Sequence, residues 1–328
     1  MSRKILSISS LVTLMAGVGL AEVPKVAVDI APVHSLVAQV MHGVGEPKLV
    51  IPSGASPHEY QLRPSEAETL QNAHIIFWVG ENLTPWLEDA MATLSESASI
   101  NELLKADGIN LLPLREDALF ETHDHDHSEH AKKDDHEDHD DHDHNKHAKK
   151  DDHEDHGHAA YDPHAWLSPE IAKNWLNLIA SELSAADPDN AGTYFSNAAS
   201  ARKELEVLSD EINKMLNSVR DRNFIVFHDA YQYFENTFNI TASGAISLSD
   251  ASDPSPGRLA EIRDRILDEK VHCVLAEPQF NKGLVKAVVE GSSANTGVID
   301  PLGSDLETGP SLYLNLIRNM ANTLSECL

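Results

Sequence analysis

Between Asp187-Pro188 and about Val219, seven apolar residues recur at intervals of four and three: Tyr194, Ala198, Ala201, Leu205, Leu208, Ile212 and Met215. That spacing draws one stripe along one helix of about 30 residues, roughly 45 Å long. A rod of that length either joins two bodies or lies packed along one sheet. On both sides of it, short apolar runs alternate with amphipathic ones. Ahead of it, KVAVDI (25–30) reads as a strand, about His34 to His42 as a helix, and PKLVIPSG as a second strand and turn. RPSEAETLQNA then reads as a helix opened by Pro64, HIIFWVG (74–80) as a strand, and a helix starts near Ser168-Pro169 and runs to about Leu183. Beyond the rod, FIVFH (224–228) is a strand, DAYQYFENTF and PGRLAEIRDRILDEK are helices, VHCVLAEP is a strand, NKGLVKAVVEGSS is a helix and TGVID (296–300) is a strand. A last helix covers about Gly309 to Leu324. Strand followed by helix, repeated, implies parallel sheets covered on both faces. The expectation is an α/β fold of two lobes, 22–187 and 220–328, each with a central parallel sheet flanked by helices, joined by one long rigid helix at 188–219.

The first 21 residues, MSRKILSISSLVTLMAGVGLA, place Arg3 and Lys4 before an apolar run from about Ile5 to Leu20. This is the layout of a cleavable signal peptide, too short for a membrane span, and it predicts export. Removing Arg3 and Lys4 takes the formal charge from -28 to -30. So acidic a chain disfavours nucleic acid and anionic membrane as partners, and its natural counterparts are cations. The two cysteines, Cys273 and Cys327, would then lie in a compartment that permits a disulfide; the alternative is two buried thiols.

Residues 121–159 stand apart from both lobes. Twelve of the 19 histidines fall here: His123, His125, His127, His130, His136, His139, His142, His144, His147, His153, His156 and His158. Between His123 and His158 fourteen carboxylates and five lysines surround them, with almost nothing apolar to bury, so the expectation is a disordered surface insertion. HAKKDDHEDHDDH (130–142) and HAKKDDHEDHGHA (147–159) share their first ten residues, a tandem repeat that a surface loop tolerates. Imidazoles among carboxylates attract zinc, copper and nickel, but a mobile chain offers no fixed geometry, so these are weak auxiliary metal sites.

A defined site must come from the other seven histidines. Three sit where a side chain can face a cleft: His58 in IPSGASPHEY, His164 in YDPHAWLSP and His228 in IVFHDAYQYF. Pro57 and Pro163 restrict the backbone just before two of them, and His228 ends an apolar strand, where parallel sheets present their sites. Spacing alone joins these residues into no short metal motif.

SPHEYQLRPS, DPHAWLSP, FHDAYQYF and LAEPQF, with the histidine-acid segment before the second, resemble the high-affinity zinc-binding periplasmic proteins of bacterial ABC importers. The likeness spans nearly the whole chain after residue 21. It implies a metal site between the lobes with His58, His164 and His228 as ligands. Glu59 or a water is the fourth ligand, with Asp300 of VIDPLG, which matches a carboxylate ligand of manganese-binding relatives, as a nearby charge. Three imidazoles plus one oxygen suit tetrahedral zinc better than manganese. The resemblance maps the family disulfide onto Cys273 and Cys327. It implies a monomeric carrier, not an enzyme, that captures Zn2+ in the periplasm and delivers it to an inner-membrane ABC permease. Two rivals remain at this stage: a secreted zinc hydrolase, for which Glu59 would be the base although no HExxH helix is present, and a metal buffer acting through the histidine-rich loop.

Overall fold

Short apolar runs become the strands of two sheets. The computed structural model describes residues 22–115, 117, 119–120, 161–247 and 254–328, so the expectations for a leader at 1–21 and for the insert at 121–159 lie outside the described residues. The first sheet holds β1 (Val26–Val28), β2 (Lys48–Leu49), β3 (Ile75–Trp78) and β4 (Ser99–Glu102) in the order β2-β1-β3-β4, all parallel. The second holds β5 (Phe224–His228), β6 (Gly244–Ser247), β7 (Cys273–Ala276) and β8 (Asn295–Val298) in the order β6-β5-β7-β8, also all parallel. In each sheet the order of strand addition reverses between the two middle strands, and the crevice at their carboxyl ends is where open α/β sheets hold ligands.

Helices α1 (Ala31–Val40), α2 (Pro64–Gln71), α3 (Pro85–Leu94) and α4 (Pro169–Ala186) accompany the first sheet. The long α5 (Ala191–Leu216) follows, then α6 (Gln232–Phe238), α7 (Pro256–Asp268), α8 (Lys282–Val289) and α9 (Leu312–Cys327) with the second. Proline opens α2, α3, α4 and α7, where its missing N–H costs nothing and its fixed φ favours the first turn. None of the helices among the described residues is long and apolar enough to cross a membrane.

The expected rod is present but shorter than 188–219. Pro188–Asn190 forms a separate 3₁₀ turn, tied by Asn190 Nδ2 and the Tyr194 hydroxyl, which both donate to the buried Asp187 carboxylate. Along α5 the buried face runs Tyr194, Ala198, Ala201, Leu205, Leu208, Ile212 and Leu216; Met215 sits half-buried beside it. Along its buried face α5 packs against α1, α4, α6 and α9. Arg318 of α9 pairs with Glu211 of α5 at 2.9 Å. The α8 helix stops at Val289, short of the expected Ser293, because Gly291 turns the chain at φ +84°.

One apolar core runs through both lobes. Val28, Ile76, Leu36 and Trp175 from the first share it with Phe224, Val226, Leu275 and Tyr313 from the second. A separate cluster fills the far face of the second sheet, where Ile225, Phe227 and Val274 meet Ile262 and Ile266 of α7 and Val285 of α8. The period of two along β5 therefore sends Phe224 and Val226, and next His228, toward the junction of the lobes, and Ile225 and Phe227 away from it.

Asp29 occupies the crevice position of the first sheet. Its carboxylate accepts from the Ile30 and Val79 N–H groups, each at 2.7 Å, joining the ends of β1 and β3. Burial raises its pKa from 3.8 to about 7, against those hydrogen bonds, which lower it. A raised folded-state pKa means that the native state holds an extra proton between pH 4 and 7, so this group's stabilisation is complete below about pH 4 and lost as pH rises through about 7. Carbon-13 NMR of the Asp29 carboxyl is expected to show a midpoint near 7. A midpoint near 4 would mean that the two N–H donors outweigh burial.

Candidate metal centre

Each of the three histidines is delivered by a different part of the chain. His228 is the last residue of β5, on the junction-facing side. His164 begins the 3₁₀ turn Ala165–Leu167 that leads into α4. His58 lies in the loop between β2 and α2, and the Trp86 indole of α3 fixes that loop by donating to the Pro57 carbonyl at 2.9 Å. Their side chains converge, with one ring nitrogen of each within 4.8 Å of the others. Ring centroids stand 5.5 Å apart for His58 and His164 and 5.3 Å for His164 and His228. His164 and His228 are buried, and His58 is half-buried.

Two carboxylates orient two of the rings. His164 Nδ1–H donates to Asp162 Oδ1 at 2.7 Å, and His228 Nδ1–H donates to Glu277 Oε1 at 2.7 Å. An ionised carboxylate can only accept, so each ring carries its proton on Nδ1 and turns the Nε2 lone pair outward. Asp162 and Glu277 are each 1% exposed, which leaves their charge little solvent to screen it. Glu277 directly follows β7, so its bond to His228 spans the crevice between β5 and β7. Asp162 is itself held: its N–H donates to the Leu112 carbonyl and Gln232 Nε2 donates to Oδ2.

The space enclosed is small. About 20 Å³ lies between His58, His164, His228, Trp166, Phe280 and Leu302, enough for one ion or one water. The Trp166 indole donates to the Pro301 carbonyl at 2.8 Å, closing that wall.

Among the described residues, the converging group holds the three histidines, without Glu59, expected as fourth ligand in place of a water, or Asp300, expected as a nearby charge. Glu59 is exposed beside His58, with its side chain in solvent. Asp300 is occupied as a turn cap: its carboxylate accepts from the N–H groups of Leu302, Gly303 and Ser304, the shape of VIDPLGS as it leaves β8. The carboxylates closest to the chemistry, Asp162 and Glu277, were visible in DPHAW and LAEPQF, but only the fold shows which ring each one faces. Behind His228, Arg115 pairs with Asp229 and Glu235 at 2.8 Å each and lies over the Phe120 ring at 3.9 Å. Burial raises Asp229 to about 6 in spite of Arg115. At the amino-terminal end of β7, on the face of the second sheet that adjoins the shared core, Cys273 and Cys327 form a disulfide, Cα atoms 5.6 Å apart, tying the start of β7 to the end of α9.

Two parallel-sheet lobes that share a core beside a small, ion-sized pocket of imidazoles define a metal-specific solute-binding protein. Residues 26–327 match the family described as ZnuA, zinc-uptake complex component A, periplasmic, and the chain belongs to that family. It is similar to the high-affinity zinc uptake system protein ZnuA of Brucella abortus (strain 2308), 44% identical over 304 residues, covering 92% of this chain and 91% of the relative. The protein of the same name from Paracoccus denitrificans (strain Pd 1222) is 44% identical over 315 residues, covering 94% and 93%. Among solved structures, a ZnuA crystal structure superposes with a TM-score of 0.73 at 23% identity over 93% of this chain and 99% of that one. A Mn2+ complex of the solute-binding protein FpvC from Pseudomonas aeruginosa superposes at 0.71 with 18% identity, covering 93% of this chain and 97% of that one. Both structures share the fold of this chain.

Proposed function

We propose that this protein captures Zn2+ outside the inner membrane and hands it to an ABC-type zinc permease, with His58, His164 and His228 as the ligands. The observation that carries this reading is the set of three convergent imidazoles around about 20 Å³ of space, two of them backed by buried carboxylates. Neutral imidazole nitrogens are good zinc donors, and the anions behind them raise their basicity and offset the charge of the dication. Water completes a tetrahedral shell, because Asp300 is committed to its turn and Glu59 faces solvent. The small volume argues against a hydrolase, which needs room for a substrate beside the ion. The protein acts as a carrier and not as an enzyme.

The organisation that goes with this reading is a cleaved leader at 1–21, an N-terminal lobe at 22–187, a linking segment at 188–219 and a C-terminal lobe at 220–328, exported to the periplasm and working as a monomer. The histidine-rich insert at 121–159 is an auxiliary collector of metal. The test is a competitive zinc titration of the metal-free mature protein, intact and lacking 123–158, against a chelator of known affinity. One tight site is expected to survive the deletion. Loss of all tight binding with the insert would move the function to the insert and sink the interlobe assignment.

A further inference from the structure

We infer that the outer edge of β4 is a docking site for an extended, basic peptide segment of a partner protein, which would add to the first sheet as a fifth strand. β4 is the terminal strand of its sheet, and no described residue pairs with its far side. The Ser99 N–H donates to the His74 carbonyl, on the β3 side. Peptide groups alternate along a strand, so those of Ile100 and Glu102 face outward, a template of donors and acceptors of the kind that strand addition uses. Natural sheets usually blunt such an edge. Here Ile100, a large apolar side chain, is 43% exposed on it.

Beside the edge lies a cavity of about 600 Å³ that shares no residue with the histidine pocket. Trp78, Met91 and Leu178 give it an apolar wall. Trp78, 3% exposed, lines this cavity, so a strand laid along the edge would cover its ring and change its surroundings.

Charge selects the occupant. Glu88, Glu102 and Asp107 rim the cavity, with Lys105 as the cation among its lining residues, already paired with Glu102 at 2.7 Å. A lysine- or arginine-bearing strand complements that rim. A second copy of this chain does not: it would bring the same carboxylates to a molecule of formal charge -28.

The test uses nitrogen-15-labelled, zinc-loaded mature protein and the peptide acetyl-Lys-Val-Lys-Val-Lys-Val-amide, with acetyl-Glu-Val-Glu-Val-Glu-Val-amide as control. The backbone amides of Ile100 and Glu102 and the Trp78 indole resonance are expected to shift together and saturate with the basic peptide alone. Ile100→Pro, which removes an outward N–H, and Glu88→Lys, a charge reversal at an exposed position of α3, are each expected to weaken binding by about tenfold or more while zinc stays bound. Glu88→Lys leaves the strand untouched, so the result does not hang on whether the proline variant folds. Shifts scattered over acidic surface without those three resonances would overturn the proposal. So would affinity unchanged in both variants, or the same shifts produced by raising protein concentration without peptide, which would assign the edge to a second copy.

Discussion

Zinc affinity is expected to fall by more than about a hundredfold when His228 is replaced with alanine. The imidazole supplies one of the three converging nitrogens, and a water in its place is a weaker, unoriented donor. Replacement of the carboxylate behind a ligand typically costs about 10- to 100-fold, so loss of the ligand itself should exceed that range. This sets up an ordered series. Glu277→Gln can still accept the Nδ1 proton but removes a buried anion, and belongs within the 10- to 100-fold range; Glu277→Ala removes both and belongs near its upper end. Asp162→Asn should parallel Glu277→Gln through His164, where the geometry is the same at 2.7 Å. Competitive chelator titration at fixed pH, on variants checked for native thermal unfolding, reads the series. If His58→Ala, His164→Ala and His228→Ala all bind as the parent does, the ion is held elsewhere.

Replacing Cys273 and Cys327 together with alanine is expected to cost about 4 kcal/mol of stability in zinc-free protein, from the loop entropy of a 54-residue separation. The bridge adds to a helix that is already well seated. Leu312, Tyr313, Leu316, Ile317, Met320 and Leu324 bury the inner face of α9, so the helix should stay docked in the variant and the loss should appear as a lower urea midpoint. Zinc affinity should hardly change, because Cys273 opens β7 while Glu277 lies beyond its other end. A loss below about 1 kcal/mol would mean that α9 packing already restrains the unfolded chain as much as the bridge does.

The sequence reading found most of the fold because apolar period and punctuation coincide. FIVFH became β5 residue for residue, and proline marked the starts of α2 and α4. It passed over α3, β4 and β6. β4 is SINE, polar on an exposed edge, and β6 is GAIS; neither has the length or alternation that marks a strand without its neighbours. α3, PWLEDAMATL, was given no assignment although Pro85 opens it directly after Thr84. At the site, the three histidines stood out because each ends a strand or follows a proline turn. The partners of those histidines did not. Glu277 lies 49 residues from His228, and only the order β6-β5-β7-β8 makes them neighbours. Asp300 illustrates the opposite hazard: its match to a ligand position was visible in VIDPLG, whereas its three backbone N–H partners could be seen only in the folded turn.

The core common to both sheets has a mechanical meaning. Phe224 and Val226 are packed into the same apolar mass as Val28 and Ile76, so no flat plane divides the molecule into halves that could part like jaws without wetting that mass. An entering or departing ion is left with the rim of the pocket, where the half-buried His58 and the exposed Glu59 lie in a loop that the Trp86 indole ties at the Pro57 carbonyl. Loosening one indole bond is far cheaper than wetting a hydrophobic seam.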